Sequence, residues 1–171
     1  MIALPEMEQR SDEWFAARCG KATASVMSEI LSKTRSGWGA SRKNCEARLI
    51  AERMTGVPAA SFTNAAMQWG IDHEDEGIDV YESCTGVETR LVGFVDHPTI
   101  KNSGASPDRL AGEKGLVEIK CPNTATHIET VLTEVIPKKY LDQMDFQMAC
   151  TEREWCDFVS YDPRMPKGLQ L

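Results

Sequence analysis

The sequence has few of the features that mark a secreted, membrane-spanning or zinc-binding protein. Its six cysteines include no CxxC pair and its three histidines lie far apart, so no zinc site of familiar spacing is expected. No apolar run is long enough to span a membrane, and residues 1–10 lack the apolar centre of a signal peptide. The 171 residues, 42% of them hydrophobic, therefore predict a single cytoplasmic α/β domain over 1–171 with reduced cysteines.

Basic residues are also in the minority. The chain has 19 Lys and Arg against 26 Asp and Glu, which gives a formal net charge of −7. Such a charge is a poor match to a protein that coats nucleic acid. A nuclease, however, needs only a local basic channel, and carboxylates that bind metal add to the acidic total. Net charge therefore argues only weakly against DNA as a partner.

The stretch from Ser106 to Pro122 carries the most informative chemistry. Asp108 lies ten residues before Glu118, Glu118 lies two before Lys120, and turn-forming residues separate them, so the stretch predicts a β-hairpin. Side chains alternate along a strand, which puts Glu118 and Lys120 on one face. Two carboxylates beside an amine suit hard divalent cations that activate water against a phosphodiester. The alternative interpretation is a surface hairpin with an ordinary Glu/Lys pair.

A second candidate site lies near the N-terminus. Thr23 and Ser25 predict the start of a helix whose residues Ile30 and Leu31 face inward. The two hydroxyls are either plain helix caps or, with Arg18 nearby, part of an anion-binding site at a helix N-terminus.

Residues 33–48 reverse the charge of the chain, with five basic residues against one acid. Trp38 lies between Arg35 and Arg42 in this segment. The segment is either an ordinary solvated loop or an arm that contacts a DNA backbone, with Trp38 available for stacking.

Three later segments complete the pattern. A long helix is predicted over 64–84, and Glu74 lies on its apolar stripe between Ile71 and Ile78. Two interpretations of Glu74 are possible. It lies at the edge of a wide apolar face, or it is functional, as a metal ligand or as a buried acid near Lys120. Residues 87–95 predict a strand. A last helix, followed by a strand at 155–160, carries Gln143 on a face that suits either solvent or a nucleotide.

Seven motifs in this order carry a family resemblance: Trp14-x-x-x-Arg18, Thr23-Ala-Ser25, Trp69-Gly70 before Glu74, Ser106-Pro-Asp108, Glu118-Ile-Lys-Cys-Pro122, Tyr140-x-x-Gln143 and Tyr161-Asp-Pro-Arg164. With them, the chain resembles the phage lambda exonuclease and YqaJ-type viral recombinase family of the PD-(D/E)XK nuclease superfamily. The resemblance covers nearly the whole chain. It implies an α/β nuclease core with a central mixed β-sheet flanked by helices.

The resemblance also implies roles for the residues at matching positions. Asp108 and Glu118 correspond to the main ligands of two Mg²⁺ ions, for which Mn²⁺ substitutes, and Glu74 completes the acidic site. Lys120 corresponds to the group that orients or deprotonates the attacking water.

Further positions correspond to DNA contacts in the family. Arg18, Ser25 and Ser106 match residues that hold a terminal 5′-phosphate, and Met67 matches an apolar wedge that parts the end base pair. Relatives often carry Gln-x-Gln on the last helix, where this chain has Gln143-Met-Asp145, so the second glutamine's role is either absent here or moved to Gln147.

Family members degrade duplex DNA from a 5′ end and leave a 3′ single strand. They act as homotrimers with a single-strand annealing protein, which implies a phage- or prophage-encoded protein in the bacterial cytoplasm. Two other functions remain open from the sequence: another nuclease of the superfamily, such as an endonuclease or a junction resolvase, and a non-catalytic DNA-end-binding protein. A nuclease with an iron–sulfur cluster is disfavoured, because the cysteines do not supply four suitably placed ligands.

Overall fold

The computed structural model of the chain describes residues 4–5, 7–60 and 63–171. These residues form, in chain order, α1 (Asp12–Arg18), β1 (Ala22–Thr23), a 3₁₀ turn (Ala24–Val26), α2 (Met27–Ile30), β2 (Lys33–Thr34), β3 (Gly37–Trp38), α3 (Ala40–Thr55), α4 (Ala65–Thr85), β4 (Thr89–Arg90), β5 (Val95–Asp96), β6 (Ser103–Ala105), β7 (Arg109–Ala111), β8 (Gly115–Lys120), α5 (Thr124–Thr133), α6 (Lys138–Thr151) and β9 (Trp155–Ser160). Among the described helices, none has the length and apolar character needed to cross a membrane.

The chain divides into two compact units. The first comprises the described residues of Met1–Ala60, Leu91–Pro107 and Pro137–Arg153. The second comprises the described residues of Ser61–Arg90, Asp108–Ile136 and Glu154–Leu171.

The first unit is built on a small mixed sheet in the order β1-β6-β5. Strand β1 pairs parallel to β6, and β6 pairs antiparallel to β5. Helix α6 packs against this sheet and against α2, and its Cys150 and Phe146 join Ala24 and Ala105 in an apolar cluster. Helix α1 begins as predicted, because the Ser11 side chain caps it by accepting a hydrogen bond from the backbone N–H of Trp14.

The helix predicted to start around residues 23–25 is present, but it is short and it begins with the 3₁₀ turn, for which Thr23 is the N-cap residue. Thr23 lies in β1, opposite Gly104 of β6, and the α-helix that follows the 3₁₀ turn is only four residues long. Leu31 lies outside this helix and is exposed, whereas Met27 and Ala24 are buried instead. Thr23 therefore ends β1 and directly precedes the helical turn, and its side chain does not form the capping hydrogen bond.

The second unit is built on a mixed four-stranded sheet in the order β4-β7-β8-β9. Strands β7 and β8 form the predicted antiparallel hairpin, and β9 pairs parallel to β8. Helices α4 and α5 pack on this sheet. The mixed sheet flanked by helices is therefore as predicted.

Close packing of α4 on the second sheet depends on a glycine. A Cβ atom at Gly77 would lie 2.5 Å from Ile119 Cδ1 and 2.8 Å from Tyr161 Cγ, so a side chain there would push α4 away. Ile78 and Tyr81 follow Gly77 and pack with Ile119 in the apolar core of this unit. The alternation predicted for β8 is observed, since Ile119 faces this core.

The strand predicted over 87–95 is in fact two short strands. Strand β4 pairs with β7 in the second unit, whereas β5 pairs with β6 in the first. The exposed Leu91 lies between them, followed by Gly93, where a Cβ atom would come 2.5 Å from the Cβ of Met7. The chain leaves one sheet and joins the other within this segment.

Candidate active site

The β7–β8 hairpin brings three predicted catalytic residues side by side. Asp108 immediately precedes β7, and its Oδ2 accepts a hydrogen bond from the backbone N–H of Ile119 at 2.9 Å. The Nζ of Lys120 lies 3.6 Å from the same Oδ2 and forms an ion pair with Glu118 Oε1. Two carboxylates therefore share one ammonium group.

Burial makes this arrangement electrostatically demanding. The Glu118 side chain is 0% exposed, whereas that of Lys120 is 28% exposed. A buried carboxylate is costly unless it is paired, and Lys120 supplies the opposite charge. The Lys120 ammonium also donates to the backbone carbonyl of Ile119 at 3.0 Å, which fixes its position beside the acids.

Glu74 lies on α4 of the same unit, and its side chain is largely buried. Its Oε1 is 3.6 Å from Nη1 of Arg109, a residue of β7 that sequence reasoning did not select. The other terminal nitrogen of Arg109 forms an ion pair with Asp75, and Nη1 donates to the backbone carbonyl of Asp108 at 2.7 Å. Arg109, the first residue of β7, thus links this strand and the preceding Asp108 to the helix that carries Glu74.

The carboxylates match a divalent cation in donor type and charge. Asp108, Glu118 and Glu74 offer hard oxygen ligands, which Mg²⁺ and Mn²⁺ prefer. In the part of the chain that the structure describes, however, no group of three or more His, Cys, Asp or Glu side chains is arranged to hold a metal ion. Lys120 and Arg109 pair with these acids instead. The donor set suits such an ion in its chemistry, while its present arrangement is one of ion pairs.

The pKa of the Cys121 thiol is raised by its burial and by the neighbouring acids. Burial, followed by the negative charge of Glu74, raises its pKa to about 12; Lys120 opposes the shift and Asp108 adds to it. The thiol is therefore protonated at neutral pH, which argues against a role as a nucleophile.

The first unit contains the predicted phosphate-binding residues. Arg18 donates from Nη1 to Ser106 Oγ at 3.2 Å and from Nη2 to Ser25 Oγ at 3.4 Å. The hydroxyls of Ser25 and Thr23 are 3.1 Å apart. Trp14 was not selected as a site residue, yet its Nε1–H donates to Ser106 Oγ at 2.8 Å. These side chains form one cluster, hereafter the Arg18 cluster.

The environment of Arg18 favours contact with an anion. Its guanidinium lies 4.0 Å from the centroid of the Trp14 ring and 5.9 Å from that of Phe94. Burial lowers the pKa of Arg18 to about 10, against an opposing effect of Glu52, so the group stays charged at neutral pH. A desolvated guanidinium interacts strongly with phosphate oxygens. Because α2 is short, the cluster consists of side chains and not of a long helix N-terminus.

The basic segment forms a two-stranded hairpin and the start of α3. Trp38 is 49% exposed, and its ring lies 3.8 Å from the Arg42 guanidinium and 5.0 Å from Lys33 Nζ. Arg42 also donates to the backbone carbonyl of Ile30 at 2.7 Å, while Arg35 is exposed at the tip. One face of Trp38 is therefore already covered by a cation.

Two other predicted DNA contacts lie on helices α4 and α6. Met67 is 51% exposed in the first turn of α4, where Asn64 caps the helix by accepting a hydrogen bond from its backbone N–H. Gln143 is partly buried on α6, Asp145 is exposed, and Gln147 is fully buried. Gln147 is thus part of the interior of the first unit.

Trp14 and Arg109 are the two site residues that were not predicted, and the sequence contains only weak, local signals for them. Trp14 and Arg18 are four residues apart, a spacing that brings side chains together on a helix. Arg109 is a charged residue in a short strand that is otherwise Leu-Ala, and it directly follows Asp108. The partners of Arg109 on α4 lie more than thirty positions away in sequence, as the separation of 34 from Asp75 illustrates.

Several solved nuclease structures resemble this chain. An alkaline exonuclease (LHK-Exo) from Laribacter hongkongensis has a solved structure that matches with 51% identity and a TM-score of 0.86, covering 94% of this chain and 78% of that one. A complex of LHK-Exo with dAMP matches with a TM-score of 0.87 over the same shares of the two chains. A phage-related exonuclease from Haemophilus somnus 129PT, at 15% identity and a TM-score of 0.65, covers 87% of this chain and 71% of its own, and shares the fold.

Two sequence comparisons extend the set. The uncharacterized protein R354 of Acanthamoeba polyphaga mimivirus is 26% identical over 172 residues, which cover 91% of this chain but only 29% of that protein. Residues 13–154 match the family described as the YqaJ-like viral recombinase domain. That match includes both the β7–β8 hairpin and the Arg18 cluster, and the chain belongs to the YqaJ-like viral recombinase domain family.

Proposed function

We propose that this chain is a metal-dependent exonuclease that digests linear double-stranded DNA from its 5′ ends and leaves 3′ single-stranded overhangs. The observation that carries the proposal is the ion-paired cluster of Asp108, Glu118 and Lys120 on the β7–β8 hairpin. The similarity of the chain to an alkaline exonuclease, which covers 94% of this chain, supports exonuclease activity as the reaction class. We further propose that the chain acts as a single nuclease domain in recombination by strand annealing.

Divalent metal dependence follows from the nuclease family, and Mg²⁺ is the ion proposed here, with two ions bound and Mn²⁺ as a substitute. Asp108, Glu118 and Glu74 would hold it through carboxylate oxygens. When bound, Mg²⁺ supplies Lewis acidity and lowers the pKa of a coordinated water.

The residues of the chain would contribute charge and orientation. Lys120 carries the ammonium group that lies at the partly exposed rim of the buried acids. From there it can orient the attacking water or take part in its deprotonation, and it can stabilise the negative charge that develops on the phosphate. The hydrogen bond from the Ile119 backbone N–H holds Asp108 in a fixed direction while this happens.

The Arg18 cluster is proposed to bind the terminal 5′-phosphate. Arg18 supplies a charged fork, and Ser25, Ser106 and Thr23 supply hydroxyl groups. Ser106 Oγ already accepts from both Trp14 and Arg18, so its own proton is available to an anion.

Other DNA contacts are proposed at exposed positions. Met67 would act as an apolar wedge at the end base pair, and Gln143 would contact a nucleotide. Arg35, Trp38 and Arg42 would contact the duplex backbone, where cationic groups dominate affinity. The proposed partners are duplex ends, two further copies of the chain in a homotrimer, and a single-strand annealing protein in the cytoplasm of a bacterium that carries the phage or prophage.

The deciding experiment compares linear duplexes that bear 5′-phosphate or 5′-hydroxyl ends with closed circular DNA, in Mg²⁺. We expect loss of nucleotides from the 5′ strand of the phosphorylated linear duplex and intact circles. Nicked or cut circles would instead indicate an endonuclease or resolvase. Binding of duplex ends without hydrolysis would indicate a non-catalytic end-binding protein.

A further inference from the structure

We propose that Arg109 is a positioning residue that holds Glu74 beside the candidate metal site. The inference rests on the proposed nuclease function. It concerns a residue outside the acidic and lysine positions that define the motif.

Arg109 is a buried cation in contact with two acids and a carbonyl, and its positive charge adds to the hydrogen bonds that lower the pKa of the Glu82 carboxyl. Its side chain is 9% exposed, and a guanidinium keeps its proton, so its charge must be balanced inside the protein. The partners are the carboxylates of Asp75 and Glu74 on α4 and the backbone carbonyl of Asp108. Arg109 therefore connects two of the three proposed metal-binding residues.

The three contacts differ in strength. Nη1 donates to the Asp108 carbonyl at 2.7 Å, and Nη2 donates to Asp75 Oδ1, so both terminal nitrogens have a close acceptor. Glu74 Oε1, at 3.6 Å, is beyond hydrogen-bond distance and is attracted by charge. Arg109 therefore attracts Glu74 by charge while its two hydrogen bonds fix the guanidinium in place.

The location of Asp75 supports this division of roles. Its side chain is 87% exposed, whereas that of Glu74 is 16% exposed. Asp75 thus anchors Arg109 from the solvent side, and Glu74 lies on the buried side. Without the positive charge of Arg109, Glu74 would lose this attraction, and its repulsion by the neighbouring acids would be less well balanced.

The first test measures Mn²⁺ binding by calorimetry for Arg109→Met, with thermal unfolding as a check of the fold. Neighbours that orient metal ligands typically contribute about 10- to 100-fold to affinity, and we expect a loss in this range. Arg90→Met is the matched control, because Arg90 is an exposed arginine on the adjacent strand β4. Unchanged Mn²⁺ binding by folded Arg109→Met would overturn the proposal. Tighter binding would also overturn it, because it would mean that Arg109 competes with the ion for the acids.

A second variant keeps the test decisive if Arg109→Met does not fold. Asp75→Asn changes an exposed side chain and removes the stronger carboxylate partner of Arg109, which should then close on Glu74. We expect Mn²⁺ binding to weaken by roughly two- to tenfold, the worth of one hydrogen bond. Asp79→Asn, an exposed acid one turn later on α4, is the control and should leave binding unchanged.

A double-mutant cycle separates positioning from a general charge effect. Because Asp75 acts through Arg109, Asp75→Asn should add little in the Arg109→Met background. Fully additive losses would overturn the proposed coupling. A wild-type chain that binds no Mn²⁺ would overturn the proposed function together with this inference, whereas equal binding by wild type and both variants would overturn the inference alone.

Discussion

The Arg18 guanidinium lies over the indole ring of Trp14, with 4.0 Å between its central carbon and the ring centroid. The two residues are four apart on α1, so helix geometry alone brings them together. Trp14 also binds the Ser106 hydroxyl, which Arg18 contacts from Nη1. The stacked ring limits the rotation of Arg18 and presents its fork to an anion with little further loss of entropy.

Arg18→Ala should slow degradation of 5′-phosphorylated duplexes far more than degradation of 5′-hydroxyl duplexes. Loss of one charge-assisted contact costs about 1.5–3 kcal/mol, which corresponds to roughly ten- to a hundredfold in rate. The effect on hydroxyl ends should be small, because there is no terminal phosphate to lose. Initial rates of wild type and variant on both substrates provide the measurement.

Arg48→Ala is a suitable control for this cycle. Arg48 belongs to the same unit and pairs with Glu29 on a partly exposed surface, so its loss should affect both substrates little and equally. Equal losses for Arg18→Ala on the two kinds of end would mean that Arg18 has a structural role and that no phosphate pocket exists at this cluster.

The hairpin was predictable because its signals are local. Turn-forming residues separate Asp108 from Glu118, and alternation along six residues places Ile119 in the core. The observed pairing of Arg109 with Val117 and of Ala111 with Gly115 agrees with a hairpin of that length. The spacing of residues that are close in sequence therefore determines both the pairing of β7 with β8 and the proximity of the charged side chains on this hairpin.

The helix start at residues 23–25 was predictable, but the pairing of Thr23 with a distant strand was not. Thr23 and Ser25 are good capping residues, but Thr23 pairs with Gly104, which lies 81 positions later in the chain. A Cβ atom at Gly104 would come 2.4 Å from the Phe94 ring, so this strand depends on tertiary contacts that the sequence pattern does not reveal. The partners of Arg109 were hidden for the same reason.

Lys120→Ala should remove most turnover while DNA binding is retained. The ammonium lies beside Glu118 and Asp108, where it can act on the water and on developing charge; loss of such a group typically costs about a hundredfold or more in rate. Single-turnover hydrolysis and equilibrium binding to a 5′-phosphorylated duplex in Ca²⁺ provide the two readouts. Lys114→Ala, at an exposed ion pair with Glu154 near the hairpin turn, is the control. A near-normal rate for Lys120→Ala would show that its assigned role is wrong.

Removal of divalent metal should abolish hydrolysis, and Ca²⁺ should not restore it. Ca²⁺ fits oxygen ligands but tolerates looser geometry and activates water less than Mg²⁺. Asp108→Asn should weaken Mn²⁺ binding as well as turnover, because it removes an anionic ligand while the Ile119 hydrogen bond keeps an acceptor. Digestion in excess chelator, followed by addition of Mg²⁺, Mn²⁺ or Ca²⁺, gives the comparison. Full activity in chelator would contradict metal dependence.

Asp162 and Arg164 form an ion pair between a buried acid and a partly exposed arginine, in the same unit as the hairpin. Asp162 is fully buried and accepts from Arg164 Nε at 2.7 Å and from Nη2 at 2.9 Å. Arg164 also lies 4.4 Å from the centroid of the Trp69 ring and donates to the carbonyl of Pro122, two residues after Lys120. The pair therefore connects α4 to the end of β8.

This pair predicts a specific pH dependence of stability. The hydrogen bonds from Arg164 lower the pKa of Asp162 from 3.8 to about 2, so the stabilisation is complete above 3.8 and is lost as the pH falls toward 2. At neutral pH, Asp162→Asn should lower the free energy of unfolding by roughly 1.5–3 kcal/mol, the range for hydrogen bonds to charged groups. Urea unfolding at several pH values should show the gap between wild type and variant shrinking below about pH 4. Asp79→Asn, which changes an exposed acid, should show no such gap. A difference for Asp162→Asn that stays constant between neutral pH and pH about 2 would mean that the carboxylate charge is not what holds Arg164 in place.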